Sequence, residues 1–156
     1  MIKIGADTAA LLDQIKEDRR RLHRIPEEGL KEFKTQSYIL LRLKEIGVCD
    51  ITVFSPTGVK AVLYAKKPAG TLAFRADMDA LCITEATAVS FASEHEGMMH
   101  ACGHDGHMAL LLGLAAYCKA HLDQLKYNVV FIFQPAEESV GGAGRMISEG
   151  LLNNPK

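Results

Sequence analysis

The chain has 156 residues, of which 48% are hydrophobic and 24% charged, and its formal net charge is -1. This balance excludes a mainly disordered chain, because enough apolar residues are present to build a core. It also argues against a nucleic-acid binder, since phosphate recognition requires a concentrated basic surface and the one basic cluster, residues 19–21, lies in a helical pattern. We therefore expect a globular protein of one domain.

The first half of the sequence predicts helices followed by short strands. Apolar residues at helical spacing predict one helix over residues 7–24 and another from Thr35, as its N-cap, to a stop at Gly47. Runs of apolar and β-branched residues then predict three strands, with a turn between the first two. The predicted strands are residues 51–54, 59–65 and 71–75.

The second half alternates helices with one strong strand. Asp105 is predicted to cap a helix through Lys119 that is apolar on nearly every side and therefore deeply buried. Residues 127–133 are typical of a strand, and a last helix is predicted over residues 142–149. This alternation implies an α/β fold in which helices pack on a sheet. In such folds, functional groups gather beyond the carboxyl ends of the strands.

No targeting or membrane segment is predicted. The first 16 residues lack a basic region followed by an apolar segment. The longest apolar run, residues 108–118, is shorter than the roughly 18 residues that span a bilayer. The four cysteines show no paired spacing and are expected to be reduced. We therefore predict a cytoplasmic protein that binds no membrane.

A cluster of histidines beside a cysteine gives the strongest indication of chemistry. Four of the six histidines lie within residues 95–107. In an extended loop, Cys102 and His104 point to the same side, so a thiolate and an imidazole can share one metal ion. Gly103 and Gly106 allow the backbone to fold tightly there. We interpret the segment as a metal site; a polar loop that only contains histidines is the alternative.

Two pairs of acidic residues follow two of the predicted strands. Glu137 and Glu138 point to opposite sides, so one can bind a metal ion while its neighbour acts as a general base. Acids that suit a helix N-terminus are the alternative for this pair. Asp77 and Asp79 can bind a metal, hold a histidine ligand or simply cap the loop. Thiolate, imidazole and carboxylate together fit two divalent ions of Zn, Mn or Co and disfavour Mg or Ca.

Four stretches of the sequence resemble one enzyme family. The stretches are residues 23–27 (HRIPE), 74–81 (FRADMDAL), 99–112 (MHACGHDGHMALLL) and 133–138 (FQPAEE). These motifs are similar to those of the N-acyl-amino-acid amidohydrolases, the family of metallopeptidases that includes aminoacylases, hippurate hydrolases and auxin-conjugate hydrolases. The resemblance covers essentially the whole chain. It implies helices packed on a mixed sheet, as the N-terminal half of a two-metal, zinc-peptidase-like catalytic domain.

The resemblance also implies an activity and roles for single residues. The implied reaction is hydrolysis of the amide bond of N-acyl amino acids, short peptides or related small amides by a water activated by two metal ions, without an organic cofactor. By this likeness, Cys102, His104 and Glu138 are metal ligands. Glu137 is the general base, which later protonates the leaving amine. The supporting shell of the metal site comprises Asp77 and Asp79.

Two features depart from the family pattern. Cys82 stands where we expect a proline, although it touches no predicted ligand. Family members are also longer, with a lid domain that mediates dimerisation and two further histidine ligands expected beyond Lys156. Residues 1–156 are therefore interpreted as the N-terminal portion of the catalytic domain, without the lid and with half of the metal site. Homo-oligomerisation, metal identity and the acyl group are left open.

Two other hypotheses accompany this interpretation. In one of them, the chain is a folded, non-catalytic metal-binding or interaction module, which would hold metal tightly and hydrolyse nothing. Alternatively, it is a phosphatase with Asp77 as nucleophile, because an apolar strand that ends in Asp-x-Asp marks such enzymes; this leaves the histidine cluster and the two glutamates unexplained. The interpretation as the N-terminal portion of an amidohydrolase instead predicts that the 156-residue chain alone binds metal weakly and shows little or no amidase activity.

Overall fold

The protein is built on a four-stranded sheet. The structure, a computed structural model, describes residues 5–155. The strands are β1 (Asp50–Phe54), β2 (Gly58–Leu63), β3 (Thr71–Asp77) and β4 (Asn128–Gln134). Their order across the sheet is β1-β2-β4-β3, with β3 parallel to β4 and the other neighbouring pairs antiparallel. The predicted fold class, helices on a mixed sheet, is confirmed.

The helices differ from the prediction mainly at their ends. They are α1 (Ala6–Ala9), α2 (Leu12–Arg24), α3 (Phe33–Ile46), α4 (His104–Ala120) and α5 (Gly142–Ser148), with a 3-10 turn at Leu122–Gln124. The helix predicted over residues 7–24 is thus interrupted between α1 and α2. Within residues 5–155, no helix combines the length and the apolar character that crossing a membrane requires.

The two helix starts assigned to capping side chains are corrected by the structure. Helix α3 begins before Thr35, whose amide donates to the Glu27 carboxylate at 2.9 Å instead. Helix α4 begins after Gly103, which adopts a φ of 83°, so Asp105 lies inside the helix and does not cap it. At α3 the Glu27 carboxylate accepts the amides that a cap would accept, whereas at α4 the Asp105 carboxylate is hydrogen-bonded to His23 and Arg19 of α2.

The core lies on both faces of β4, which is buried along its whole length. Phe131 and Phe133 belong to the larger cluster, which includes apolar residues of α2, α3 and α4. Val130 and Ile132 belong to a smaller cluster with Met146 of α5. This alternation follows from the two-residue period of a strand, which directs successive side chains to opposite faces.

One side of α4 and the adjacent edge strand β3 are open. Leu110 on α4 is 60% exposed, and Leu72 and Phe74 on β3 are exposed as well. Leu112, by contrast, packs in the core and is 1% exposed. The prediction that α4 is buried on nearly every side is therefore wrong for the side that carries Leu110.

The contrast between these two leucines predicts a difference in stability. Leu112→Ala is expected to lower the free energy of unfolding by about 2–5 kcal/mol, because it removes buried methyl groups and leaves a cavity. Leu110→Ala is the matched control on the same helix and should change it by less than about 0.5 kcal/mol. Urea denaturation followed by circular dichroism measures both. Equal losses would contradict the placement of α4 on the sheet.

Candidate metal centre

The carboxyl ends of β3 and β4 lie level with each other. Asp77 is paired with Gln134 in the parallel register. The amide of Met78 donates to the Gln134 carbonyl at 2.8 Å, and Arg75 donates to Gln134 Oε1 at 2.8 Å and to Asp77 Oδ2 at 2.9 Å. The segments that follow the two strands therefore leave the sheet at the same edge, where α/β folds place their functional groups.

His104 is the first residue of α4 and reaches this edge. Its Nδ1 lies 2.9 Å from the carbonyl oxygen of Asp79 and 3.5 Å from Asp79 Oδ1. Because this contact makes Nδ1 the donor, Nε2 is directed away from it, and Nε2 lies 3.9 Å from Glu138 Oε1. Histidines that bind a metal through one ring nitrogen typically donate a hydrogen bond of this kind from the other.

The electrostatics around His104 favour a positive charge. The hydrogen bond to Asp79 and the nearby Asp77 carboxylate raise the pKa of His104 to about 9, against the effect of its burial. Burial alone would raise the pKa of Asp79, but hydrogen bonds from His104 and from the Glu137 and Glu138 amides hold it below its usual value. A divalent cation would supply the positive charge that this position attracts.

The turn after β4 presents the two glutamates to His104. The ligand atoms that His104, Glu137 and Glu138 can offer all lie within 4.8 Å of one another. The amide of Glu138 donates to Asp79 Oδ2 at 2.9 Å. Asp79 thus contacts both His104 and the backbone of Glu138, so one buried carboxylate fixes two members of the group.

Cys102 lies next to this three-residue group. Its side chain is exposed. The neighbouring carboxylate of Glu138, with those of Glu137 and Asp79, raises the pKa of the Cys102 thiol. A bound divalent cation would act in the opposite direction, because a coordinating thiol is deprotonated. The donor set of thiol, imidazole and carboxylates therefore fits a transition-metal ion.

The two aspartates of the predicted supporting shell have different surroundings. Asp79 contacts the candidate ligands directly, whereas the hydrogen bond of Asp77 goes to Arg75. Burial raises the pKa of Asp77, and the Arg75 guanidinium opposes that effect. Among the residues that the structure describes, one oxygen of each aspartate is buried without a hydrogen-bond partner. These unpartnered oxygens also fit a site that accepts a cation.

Behind α4 lies a group of polar contacts that the sequence analysis did not anticipate. Asp105 Oδ2 accepts hydrogen bonds from His23 Nδ1 at 2.8 Å and from Arg19 at 3.1 Å. The other ring nitrogen of His23 lies 3.2 Å from Glu85. The sequence feature that could have indicated this group is the i, i+4 spacing of Arg19 and His23, which places both on one face of α2.

His107 is exposed, and its ring centroid lies 6.0 Å from that of His104.

Comparison with known sequences identifies the family. The sequence profile of Peptidase family M20/M25/M40 matches residues 73–156, more than half of the chain. The chain belongs to this family. The matched region contains most of β3 and all of α4 and β4, and with them Cys102, His104 and both glutamates.

Similar proteins support the M20 assignment and extend it toward the N-terminus. The N-acetyldiaminopimelate deacetylase of Oceanobacillus iheyensis is 47% identical over 135 residues, which are 86% of this chain and 36% of the relative. The YxeP protein of Bacillus subtilis, a dinuclear metal-binding peptidase of the M20 family, has a TM-score of 0.88 at 39% identity over 93% of this chain and 41% of its own. The M20 chain thus spans little more than a third of the length of the curated relatives that it matches.

A more distant solved structure has the same fold. The aminobenzoyl-glutamate utilization protein of Klebsiella pneumoniae has a TM-score of 0.73 at 27% identity, over 94% of this chain and 42% of its own. The resemblance inferred from the four sequence motifs is confirmed by these comparisons.

Proposed function

We propose that the M20 chain forms part of an enzyme that hydrolyses the amide bond of small N-acyl amino acids or related amides. The observation that carries this proposal is the meeting of His104, Glu137 and Glu138 within 4.8 Å at the carboxyl ends of the parallel strands. Relatives named as deacetylases of an N-acetylated amino acid support the substrate class. On this proposal, residues 1–156 are the N-terminal portion of the catalytic domain.

Three residues are proposed to bind two divalent ions of Zn, Mn or Co. They are Cys102, His104 and Glu138, whose thiolate, imidazole and carboxylate suit these borderline ions better than Mg or Ca. When bound, the ions supply Lewis-acid chemistry, which lowers the pKa of a water and polarises the amide carbonyl. Asp79 orients two of these residues. Its carbonyl oxygen accepts a hydrogen bond from His104 Nδ1, and its carboxylate accepts one from the Glu138 amide.

Glu137 is proposed as the general base and acid. Its side chain is exposed next to His104 and Glu138, so it can reach both substrate and water. It takes a proton from the attacking water and later delivers that proton to the leaving amine, whose departure requires protonation. Asp77, fixed by Arg75, contributes negative charge to the site.

The four cysteines are free, a state that suits the cytoplasm, where we place the activity.

Cobalt titration tests the ligand assignment. We expect wild-type protein to bind Co²⁺ with a thiolate-to-cobalt absorption band, and Cys102→Ser to lose that band, because the thiolate is the source of the transition. His104→Ala should weaken binding by at least about tenfold. Cys49→Ser and His121→Ala are matched controls on residues outside the group and should bind as wild type does. A band that survives Cys102→Ser but not Cys49→Ser would contradict the assignment.

Release of free amine from N-acetyldiaminopimelate and from N-benzoyl amino acids tests the reaction itself. It is measured with the metal-loaded complete enzyme, of which residues 1–156 are proposed to be the N-terminal portion, because these residues alone are expected to show little or no turnover. Turnover that chelators abolish and metal restores supports the proposed function. Tight metal binding without turnover of any N-acyl amino acid would instead favour a non-catalytic metal-binding module.

A further inference from the structure

Glu32 is a carboxylate in an environment where carboxylates are rarely found. It is 0% exposed, and within residues 5–155 no lysine, arginine or histidine lies within salt-bridge distance of it. A buried charge without a counterion is costly unless hydrogen bonds satisfy it. Glu32 stands at the N-cap position of α3, yet its side chain makes no capping bond there. Instead, the Glu27 carboxylate caps the helix by accepting hydrogen bonds from the amides of Lys34 and Thr35.

The freed side chain of Glu32 joins two loops that are far apart in the sequence. Its Oε2 accepts a hydrogen bond at 2.5 Å from the hydroxyl of Thr57, a buried residue of the turn between β1 and β2. Its Oε1 accepts a hydrogen bond from the amide of Ala136 at 2.8 Å. Both carboxylate oxygens are thereby satisfied, and one of them is bonded to the residue directly before Glu137.

Ala136 is the residue at which the backbone turns after β4. Its φ is 52°, in the left-handed region that residues other than glycine, asparagine and aspartate rarely adopt. Its carbonyl accepts hydrogen bonds from the amides of Gly141 and Gly142 at 3.0 and 3.1 Å. Such a conformation persists only where the surroundings hold it. The Glu32 carboxylate fixes the amide of Ala136 by a hydrogen bond, and the amides of Gly141 and Gly142 fix its carbonyl in the same way.

The segment that carries Glu32 is packed directly against this turn. A Cβ placed on Gly29 would lie 2.9 Å from the Cα of Ala136 and 2.4 Å from the hydroxyl oxygen of Ser139. The backbone at Gly29 is therefore packed against residues 136–139 with no space for a side chain between them. This close packing places the Glu32 carboxylate within hydrogen-bond distance of the Ala136 amide.

We propose that Glu32 is a positioning residue, which holds Ala136 in its left-handed conformation so that Glu137 and Glu138 face His104. Without the acceptor, the Ala136 amide would be buried and unpaired, and the turn would relax toward a more common backbone conformation. The glutamates that follow would move with it. The chemistry assigned to them rests on the proposed function above, whereas the positioning itself rests on the contacts of Glu32.

Amide hydrogen exchange measured by NMR tests the positioning directly. In Glu32→Ala, we expect protection of the Ala136 amide to fall by about 100-fold, while that of Phe131 in β4 changes by less than about threefold. Glu32→Gln keeps a carbonyl oxygen for the Ala136 amide and should retain protection. Glu28→Gln is the matched control, since Glu28 is exposed and pairs with Lys31. Unchanged protection of Ala136 in Glu32→Ala, or an equal loss at Phe131, would overturn the proposal.

Thr57→Val keeps the proposal testable if Glu32→Ala does not fold. It removes the hydrogen bond between Thr57 and Glu32 Oε2 and leaves the residues of the turn after β4 unchanged. We expect a selective loss of protection at the Ala136 amide of about tenfold. No change at Ala136 in this variant would count against the proposal.

Cobalt binding gives a second measurement, which a merely structural role would leave unchanged. Glu32→Ala should weaken Co²⁺ binding by at least about tenfold and shift its absorption bands, and Glu32→Gln should restore both. Equal binding by all three proteins would contradict the positioning role. If the exchange pattern is as expected but the complete enzyme hydrolyses no N-acyl amino acid, the proposed function fails and the role of Glu32 stands.

Discussion

Replacing Glu137 and Glu138 by glutamine, one at a time, is expected to separate catalysis from metal binding in two adjacent residues. Glu138→Gln removes the charge of a proposed ligand that lies 3.9 Å from His104 Nε2, so the metal content of the purified protein should fall. Glu137→Gln should keep its metal but lose about 10²–10⁴ in kcat, because the amide cannot take up the proton of the attacking water. Metal analysis and amine release measure both effects on the same samples of the complete enzyme that contains residues 1–156.

The control for this pair is Glu96→Gln, an exposed glutamate in the loop before α4, which should retain both metal and activity. The reverse result, with metal lost in Glu137→Gln and kept in Glu138→Gln, would exchange the two roles. Equal loss of metal in both variants would show that both carboxylates are ligands and would leave the general base to another group.

Asp79→Ala is expected to weaken metal binding as strongly as the loss of a ligand, although Asp79 need not touch the metal. The substitution removes the acceptor of the Glu138 amide, 2.9 Å away, and the carboxylate oxygen 3.5 Å from His104 Nδ1. Loss of such an orienting group typically costs about 10–100-fold in metal affinity. The unpaired Glu138 amide should also lower the free energy of unfolding by about 1–3 kcal/mol. Calorimetric metal titration and urea denaturation measure the two effects.

Asp79→Asn distinguishes the two contributions, because the asparagine oxygen can still accept the Glu138 amide while the negative charge beside His104 is lost. We expect nearly normal stability in this variant and an intermediate metal affinity. Asp13→Asn, on a side chain that is 98% exposed, is the neutral control. Wild-type metal affinity in Asp79→Ala would show that His104 and Glu138 are held by other contacts.

The strands and the helix faces could be predicted from the sequence because their signals are local. The apolar run that becomes β4 was placed within one residue of its observed bounds, Asn128–Gln134. The starts of α3 and α4 lie before the predicted ones, because Thr35 and Asp105 have good capping side chains whose hydrogen bonds go to residues outside the helix. Asp105, for example, accepts from His23 and Arg19 of α2. Local propensity cannot register a partner that only the fold supplies.

The same reasoning explains how much of the site could be predicted. The rule that function gathers at the carboxyl ends of strands was enough to associate Asp79, His104 and the two glutamates. It could not distinguish Asp77 from Asp79, because their difference lies in the contacts that each side chain makes. Nor could it find Glu32, since nothing in the sequence around residue 32 points to a partner at Ala136.

The parallel pairing of β3 with β4 has a consequence for the order in which the protein folds. Strands β1 and β2 are joined by a short turn, so their hairpin can form quickly from local contacts. Strands β3 and β4 are separated by residues 78–127, and their pairing requires a long loop to close before any contact compensates for the lost entropy. The bond between Asp79 and Glu138 spans that same crossover. We therefore expect the ligand set to assemble late, so that a bound metal ion would retard unfolding far more than it accelerates folding.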